Sequence, residues 1–120
     1  MDRKKELKQQ YKLMKPKMGV FIVRCKANEK CYIQATKDLR GVMNGCEVRL
    51  AGGTHPYVEL QREYTALGPE NFEMEILEVL PYDEDETKTD YTEDLEIARM
   101  IWEDKLAKEG RTFYRKRLQG

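Results

Sequence analysis

Apolar positions along this chain change period several times, and each change marks an element. Over residues 2–14, Leu7, Tyr11 and Met14 recur at i, i+4, i+7 with lysines on the other faces, which predicts a basic helix ended by Pro16. Two runs rich in β-branched and aromatic residues follow, 19–26 and 31–36. Val20, Phe21, Ile22 and Val23 put apolar groups on both faces, as a covered central strand needs. Asn28 sits in the short turn between the runs, so a β-hairpin is the simplest connection. Asp38 is a candidate N-cap for a helix over 39–50, which Gly41 and Gly45 weaken by about 1 kcal/mol each relative to Ala. "AGGTHP" breaks that helix. Val58, Leu60, Tyr64 and Leu67 pattern another over 57–67, closed by Gly68-Pro69. "NFEMEILEVL" alternates, with Phe72, Met74 and Ile76 on one side and Glu73, Glu75 and Leu77 on the other, which reads as a third strand with one solvated face. An acidic loop, "PYDEDETKTD", leads to a long helix from Thr92 to about Lys108, striped by Leu95, Ala98, Ile101, Trp102 and Leu106.

The resulting order, α–ββ–α–α–β–α, predicts an α/β (α+β) fold in which a small three-stranded sheet is flanked by helices. A chain of 120 residues supports one modest core and no second domain. The expected organisation is a basic N-terminal helix over 1–18, a folded domain over 19–110 and a basic C-terminal tail over 111–120.

Composition sharpens this picture in two ways. Charged residues make up 37% and apolar ones 40%, as in a folded protein with a heavily solvated surface. No apolar run approaches the ~18 residues of a membrane span, the N-terminus lacks the apolar core of a signal peptide, and three cysteines cannot all pair within the chain. A reducing cytoplasm and no membrane contact are therefore expected. Net charge is zero but uneven: residues 1–50 hold 13 Lys and Arg against 5 Asp and Glu, and the remainder holds 9 against 17. Either the basic half meets phosphates, or the two halves neutralise each other across the fold.

"GVF" at Gly19–Phe21, "YIQ" at Tyr32–Gln34, "TKDL", "HPYVELQ" and "GPENFEMEIL" together, in this order and spacing, resemble the GIY-YIG nuclease domain over about residues 19–106. That resemblance implies single-metal hydrolysis of a DNA phosphodiester. Two tyrosines would activate and place water, an arginine would stabilise the phosphate and a glutamate would hold the ion. The first tyrosine position falls on Phe21, which keeps the ring and loses the hydroxyl. The second is Tyr32, intact. The glycine closing the motif is Gln34, whose side chain fills space a substrate backbone would need. The arginine position is Val42, and the histidine one turn later is Cys46. A second histidine survives as His55, ahead of the next helix. The metal glutamate, three residues before Trp102, is Arg99, a cation where a cation should bind.

General base, phosphate clamp and metal ligand are thus each altered, and losing one transition-state contact commonly costs roughly 10²–10³ in rate. The reading is a catalytically silent GIY-YIG-like domain that binds nucleic acid in a sequence-tolerant way, or a protein partner, through the remnant cleft. Tyr32, Arg40 and Arg49 are the candidate nucleic-acid contacts, with no metal and no cofactor. One alternative is a divergent endonuclease holding Mg²⁺ or Mn²⁺ through Glu96 or Glu103, both near the Arg99 face of their helix. Another is a protein-interaction module. Cys25, Cys31, Cys46 and His55 have the ligand types of a zinc site without its usual spacing, and Asp83–Glu86 lacks the glycine of a calcium loop.

Overall fold

The computed structural model describes residues 15–116. The helix expected over 2–14 lies outside the described residues, and the segment read as reaching residue 18 has given way to a strand by Met18, which is buried. The elements are β1 (Met18–Cys25), β2 (Lys30–Thr36), α1 (Leu39–Gly52), α2 (Val58–Leu67), a 3₁₀ turn (Pro69–Asn71), β3 (Phe72–Leu80), α3 (Thr92–Lys108) and β4 (Thr112–Phe113). They build a mixed α/β fold around a sheet of order β3-β1-β2-β4.

β1 is the central strand, antiparallel to both β2 and β3, and its apolar run serves two cores. Phe21, Val23 and Cys25 point to the side covered by α1 and α2, where Leu39, Cys46, Leu50 and Leu60 meet them. Val20 and Ile22 point to the side covered by α3, against Ala98 and Leu106. The hairpin loop turns through Glu29, which holds a left-handed φ of 61°, while Asn28 Oδ1 accepts a hydrogen bond from Lys30 N at 3.1 Å. Asp38 caps α1 as expected, accepting from Gly41 N at 3.0 Å.

Three expectations change. The sheet has four strands, because Thr112 and Phe113 pair in parallel with Lys30 and Cys31. Residues 111–116 are accordingly part of the folded body, not the start of a free tail. Tyr114 is buried and its hydroxyl donates to Glu63, while Val58 N donates to Lys116 O at 3.3 Å. Second, β3 does not keep one alternation. A bulge shifts its register so that Val20 pairs with Glu78 and Phe21 with Ile76: Phe72 and Met74 keep to the α1 side and Leu77 to the α3 side, as the alternation expects, but beyond the bulge Leu80 also packs on the α3 side. Third, Ile101 belongs to no core: it is exposed on α3, whose packed side is Leu95, Ala98, Trp102 and Leu106.

The glycine at the second position of β1 has a geometric cause. A Cβ on Gly19 would stand 1.9 Å from the carbonyl oxygen of Glu78, so the bulged strand passes too close for any side chain there. No helix among the described residues is long and apolar enough to cross a membrane.

Candidate functional site

β4 covers only the first two residues of β2, and the rest of that strand's outer edge borders a cleft of about 600 Å³. One wall is Tyr32, Gln34 and Lys37; Tyr57 stands at one end; α3 supplies Glu96, Arg99 and Glu103 opposite. Tyr32 and Gln34 share a face because they are two apart on a strand, and that face is the one Phe21 joins through its pairing with Gln34. The Tyr32 hydroxyl donates to Gln34 Oε1 at 2.6 Å, so each satisfies the other.

Tyr32 is largely buried yet lines the cleft, its ring held edge-on by Tyr57 at 4.6 Å and by His55 at 5.1 Å between centroids. Burial pushes its phenol well above the ordinary range, with the nearby Cys46 and Tyr57 adding to it, so the group stays protonated and is no base at neutral pH. His55 is also buried. Its Nδ1 accepts from Tyr57 N at 3.0 Å, its backbone N–H donates to Gln61 Oε1 at 2.9 Å, and burial followed by the Arg49 charge lowers its pKa. It is therefore a neutral acceptor that sets the entry to α2.

The other motif positions are apolar. Phe21 is fully buried, Val42 packs partly buried against the same cluster, and Cys46 faces inward with its thiol pushed up to about 11 by burial. Cys25 shares the α1 side with Cys46, but Cys31 faces the α3 side, so the sheet separates the cysteines. Arg40 and Arg49 lie nine residues apart on α1, a rise of about 13 Å. Arg40 borders a groove with Pro16, Met43 and Ile76 on another side of the molecule, whereas Arg49 is close enough to bias His55 and Tyr32. The fold thus brings Tyr32, Gln34 and Arg99 around one cleft, with His55 packed against the Tyr32 ring, and leaves Arg40 outside it.

Arg99 settles what the α3 wall offers. Its Nε donates to Glu96 Oε2 at 3.2 Å, Nη2 donates to the other Glu96 oxygen, and Nη1 donates to Glu103. The bond to Arg99 holds the Glu96 carboxyl below its ordinary range. Glu96 and Glu103 do face the cleft together, but a guanidinium stands between them. Among the described residues no three His, Cys, Asp or Glu side chains converge as metal ligands. This donor set does not fit a divalent ion.

Two contributors escaped the sequence reading. Tyr57 follows His55-Pro56, and only that aromatic in a motif already noticed could have flagged it. Lys37, at the cleft rim, donates to Thr89 O at 2.9 Å and carried no signal beyond its charge.

No family model and no curated protein matches the chain. Two solved structures do. The catalytic domain of homing endonuclease I-TevI shares 24% identity over 79% of this chain and 94% of its own, with a TM-score of 0.61. A mutant form of the catalytic domain of intron endonuclease I-TevI shares 24% identity over 87% of this chain and 99% of its own, with a TM-score of 0.62. The architecture is that of a GIY-YIG nuclease-like fold.

Proposed function

We propose that this domain is a catalytically silent GIY-YIG-like module that binds a nucleic-acid backbone through the cleft beside Tyr32. The observation that carries the reading is Arg99, a guanidinium locked between Glu96 and Glu103 where the resemblance calls for a metal carboxylate. A hydrolytic site also needs a water activator and a phosphate clamp. Tyr32 is protonated and bonded to Gln34, Phe21 has no hydroxyl and Val42 has no charge. Binding needs less. Lys37 at the rim and Arg49 beside the Tyr32–His55–Tyr57 cluster supply cations for phosphates, and such contacts position a backbone without reading bases.

A second reading, a protein partner, is supported by the sheet edge. Cys31 O already accepts from Tyr114 N at 2.9 Å, so by strand alternation the N–H and C=O groups of Ile33 and Ala35 also point outward, into the cleft. An extended peptide would add there as a strand.

The deciding experiment is cleavage and gel-shift measurement on single-stranded, duplex and branched DNA, with Mg²⁺ and Mn²⁺, at two salt concentrations. Expected are no cleavage and a salt-sensitive shift weakened by Lys37→Glu with Arg49→Glu. Metal-dependent cleavage lost on Glu96→Ala or Glu103→Ala would replace this reading with that of a divergent endonuclease. No shift of DNA or RNA at low salt would leave the protein partner.

A further inference from the structure

We propose that the N-terminal segment, residues 2–14, docks as a helix in the groove between α1 and β3 of its own chain. The groove has a volume of about 510 Å³ and is walled by Leu39 and Met43 of α1 and by Ile76 of β3. Ile76 is 42% exposed, and Val79 on the same strand is 47% exposed. They pair with Phe21 and Gly19, two residues apart on β1, so both belong to the α1 side of the sheet. β3 is the outermost strand, and among the described residues no strand pairs with its free edge. Covering such an edge with a helix is a common way to protect it.

Where the chain enters the fold identifies the occupant. Pro16 and Lys17 themselves line the groove. Lys17 O accepts from Leu39 N at 2.9 Å and Pro16 O accepts from the Tyr82 hydroxyl at 2.6 Å, so the entry is pinned at the groove's mouth. Residues 2–14 thus meet the groove at the high effective concentration of a short tether. Pattern and reach agree with this. Leu7, Tyr11 and Met14 fall on one face of a helix, and seven residues at 1.5 Å each spread that stripe over about 10 Å. From Pro16 to Phe21, the partner of Ile76, β1 and its lead-in advance about 16 Å at 3.3 Å per residue. A residue ahead of a proline is disfavoured in helical conformation, so the turn falls at Lys15–Pro16, where Lys15 Nζ rests over the Tyr82 ring at 4.9 Å. A helix turned back there sets Met14 by the entry, Tyr11 at Met43 and Leu7 toward Ile76. Lys5, Lys8 and Lys12 fall on its other faces and stay solvated. The groove shares no lining residue with the Tyr32 cleft, so the inference stands apart from the nucleic-acid reading.

A double-mutant cycle in the full chain tests it, read as urea unfolding midpoints. Tyr11→Ser and Ile76→Ser should each lower the midpoint, and the double variant should fall by less than the sum, because either change empties the same contact. Tyr11→Ser with Val48→Ser, an exposed α1 position outside the groove, should be additive. Additive behaviour in the first pair, or no effect of Tyr11→Ser alone, overturns the proposal. Location is read separately by NMR. A nitroxide on Gln9→Cys, on the face opposite the stripe, should broaden the amides of Asn44 and Ile76 within one chain; the three native cysteines are buried and take no label. Unbroadened amides there overturn the proposal. So does broadening of an isotope-labelled chain by the nitroxide of another chain, which would assign the groove to a second copy's segment.

Discussion

Arg99 decides what the α3 wall of the cleft can hold. A carboxylate at that position would stand with Glu96 and Glu103 as three hard oxygen donors on one helical face, suited to Mg²⁺ or Mn²⁺. The arginine instead consumes both neighbours' charge through i, i−3 and i, i+4 bonds along its own helix. An incoming dication would have to displace a guanidinium held by three hydrogen bonds and then sit beside its charge. Calorimetric titration of the wild-type protein with Mn²⁺ should therefore show no saturable single site at physiological metal levels. One tight site, abolished by Glu96→Ala, would sink this account. The remaining motif residues obey the same logic: Tyr32 and Gln34 are mutually satisfied, and His55 spends its ring nitrogen on a backbone N–H.

The elements were legible to the degree that each declares itself locally. Among the described residues, β1 and β2, the three helices and β3 carry strong periodicity and clear stops, and all were read within a residue or two of their ends. β4 was not, because a two-residue strand has no period; it exists only through long-range pairing with Lys30 and Cys31. The latch that holds it was equally invisible, since Glu59 and Glu63 look like ordinary surface glutamates until Lys30, Tyr114 and Arg115 converge on them. The β3 bulge escaped notice because "MEIL" alternates cleanly until a neighbour forces a shift. At the site, the motif positions were readable from the resemblance and the partners of Arg99 from helical spacing, whereas the Tyr57 ring against Tyr32 required the fold.

Two predictions belong at this scale. Gly19→Ala drives a methyl into the backbone oxygen of Glu78, which has no flexible end to move, and should cost about 3 kcal/mol, measured by urea unfolding. The latch should be sensitive to acid. Burial alone would raise the Glu63 carboxyl, but hydrogen bonds from Tyr114, Asn28 and Lys30 outweigh it and hold the group below its ordinary 4.5. A depressed carboxylate contributes stability that is present above its unfolded value and is lost as pH falls through the lower folded one. Glu63→Gln should thus cost about 1 kcal/mol at neutral pH, a modest figure because the group is partly solvated. The gap to wild type should close as acid protonates the carboxylate. A gap that persists at low pH would assign the loss to packing instead.

On the scale of the whole molecule, part of the uneven charge of the chain is spent internally among the described residues. Arg24 and Lys26 of the basic half pair with Glu75 and Glu73 across the sheet, and Lys30 pairs with Glu59 and Glu63. Lys37 reaches back over the Tyr91 ring at the start of α3, at 5.7 Å from its centroid. Among the described residues, the partly engaged Lys37 lines the cleft and Arg49 lies near enough to Tyr32 and His55 for its charge to be felt there, while Glu96 and Glu103 stand on the far wall. The salt dependence of binding counts such contacts directly, because each phosphate neutralised on duplex DNA adds about −0.9 to the slope of log affinity against log salt. Two or three contacts give a slope of about −2 to −3 and affinities in the range of nonspecific binders, about 10⁻⁴–10⁻⁶ M. Fluorescence anisotropy with a labelled duplex across a salt series would measure both. Arg49→Ala should flatten the slope by about one, whereas Arg40→Ala, whose side chain borders a different groove, should leave it unchanged. A wild-type slope steeper than about −5 would mean that a second basic surface carries the binding and that the cleft is not where the nucleic acid lies.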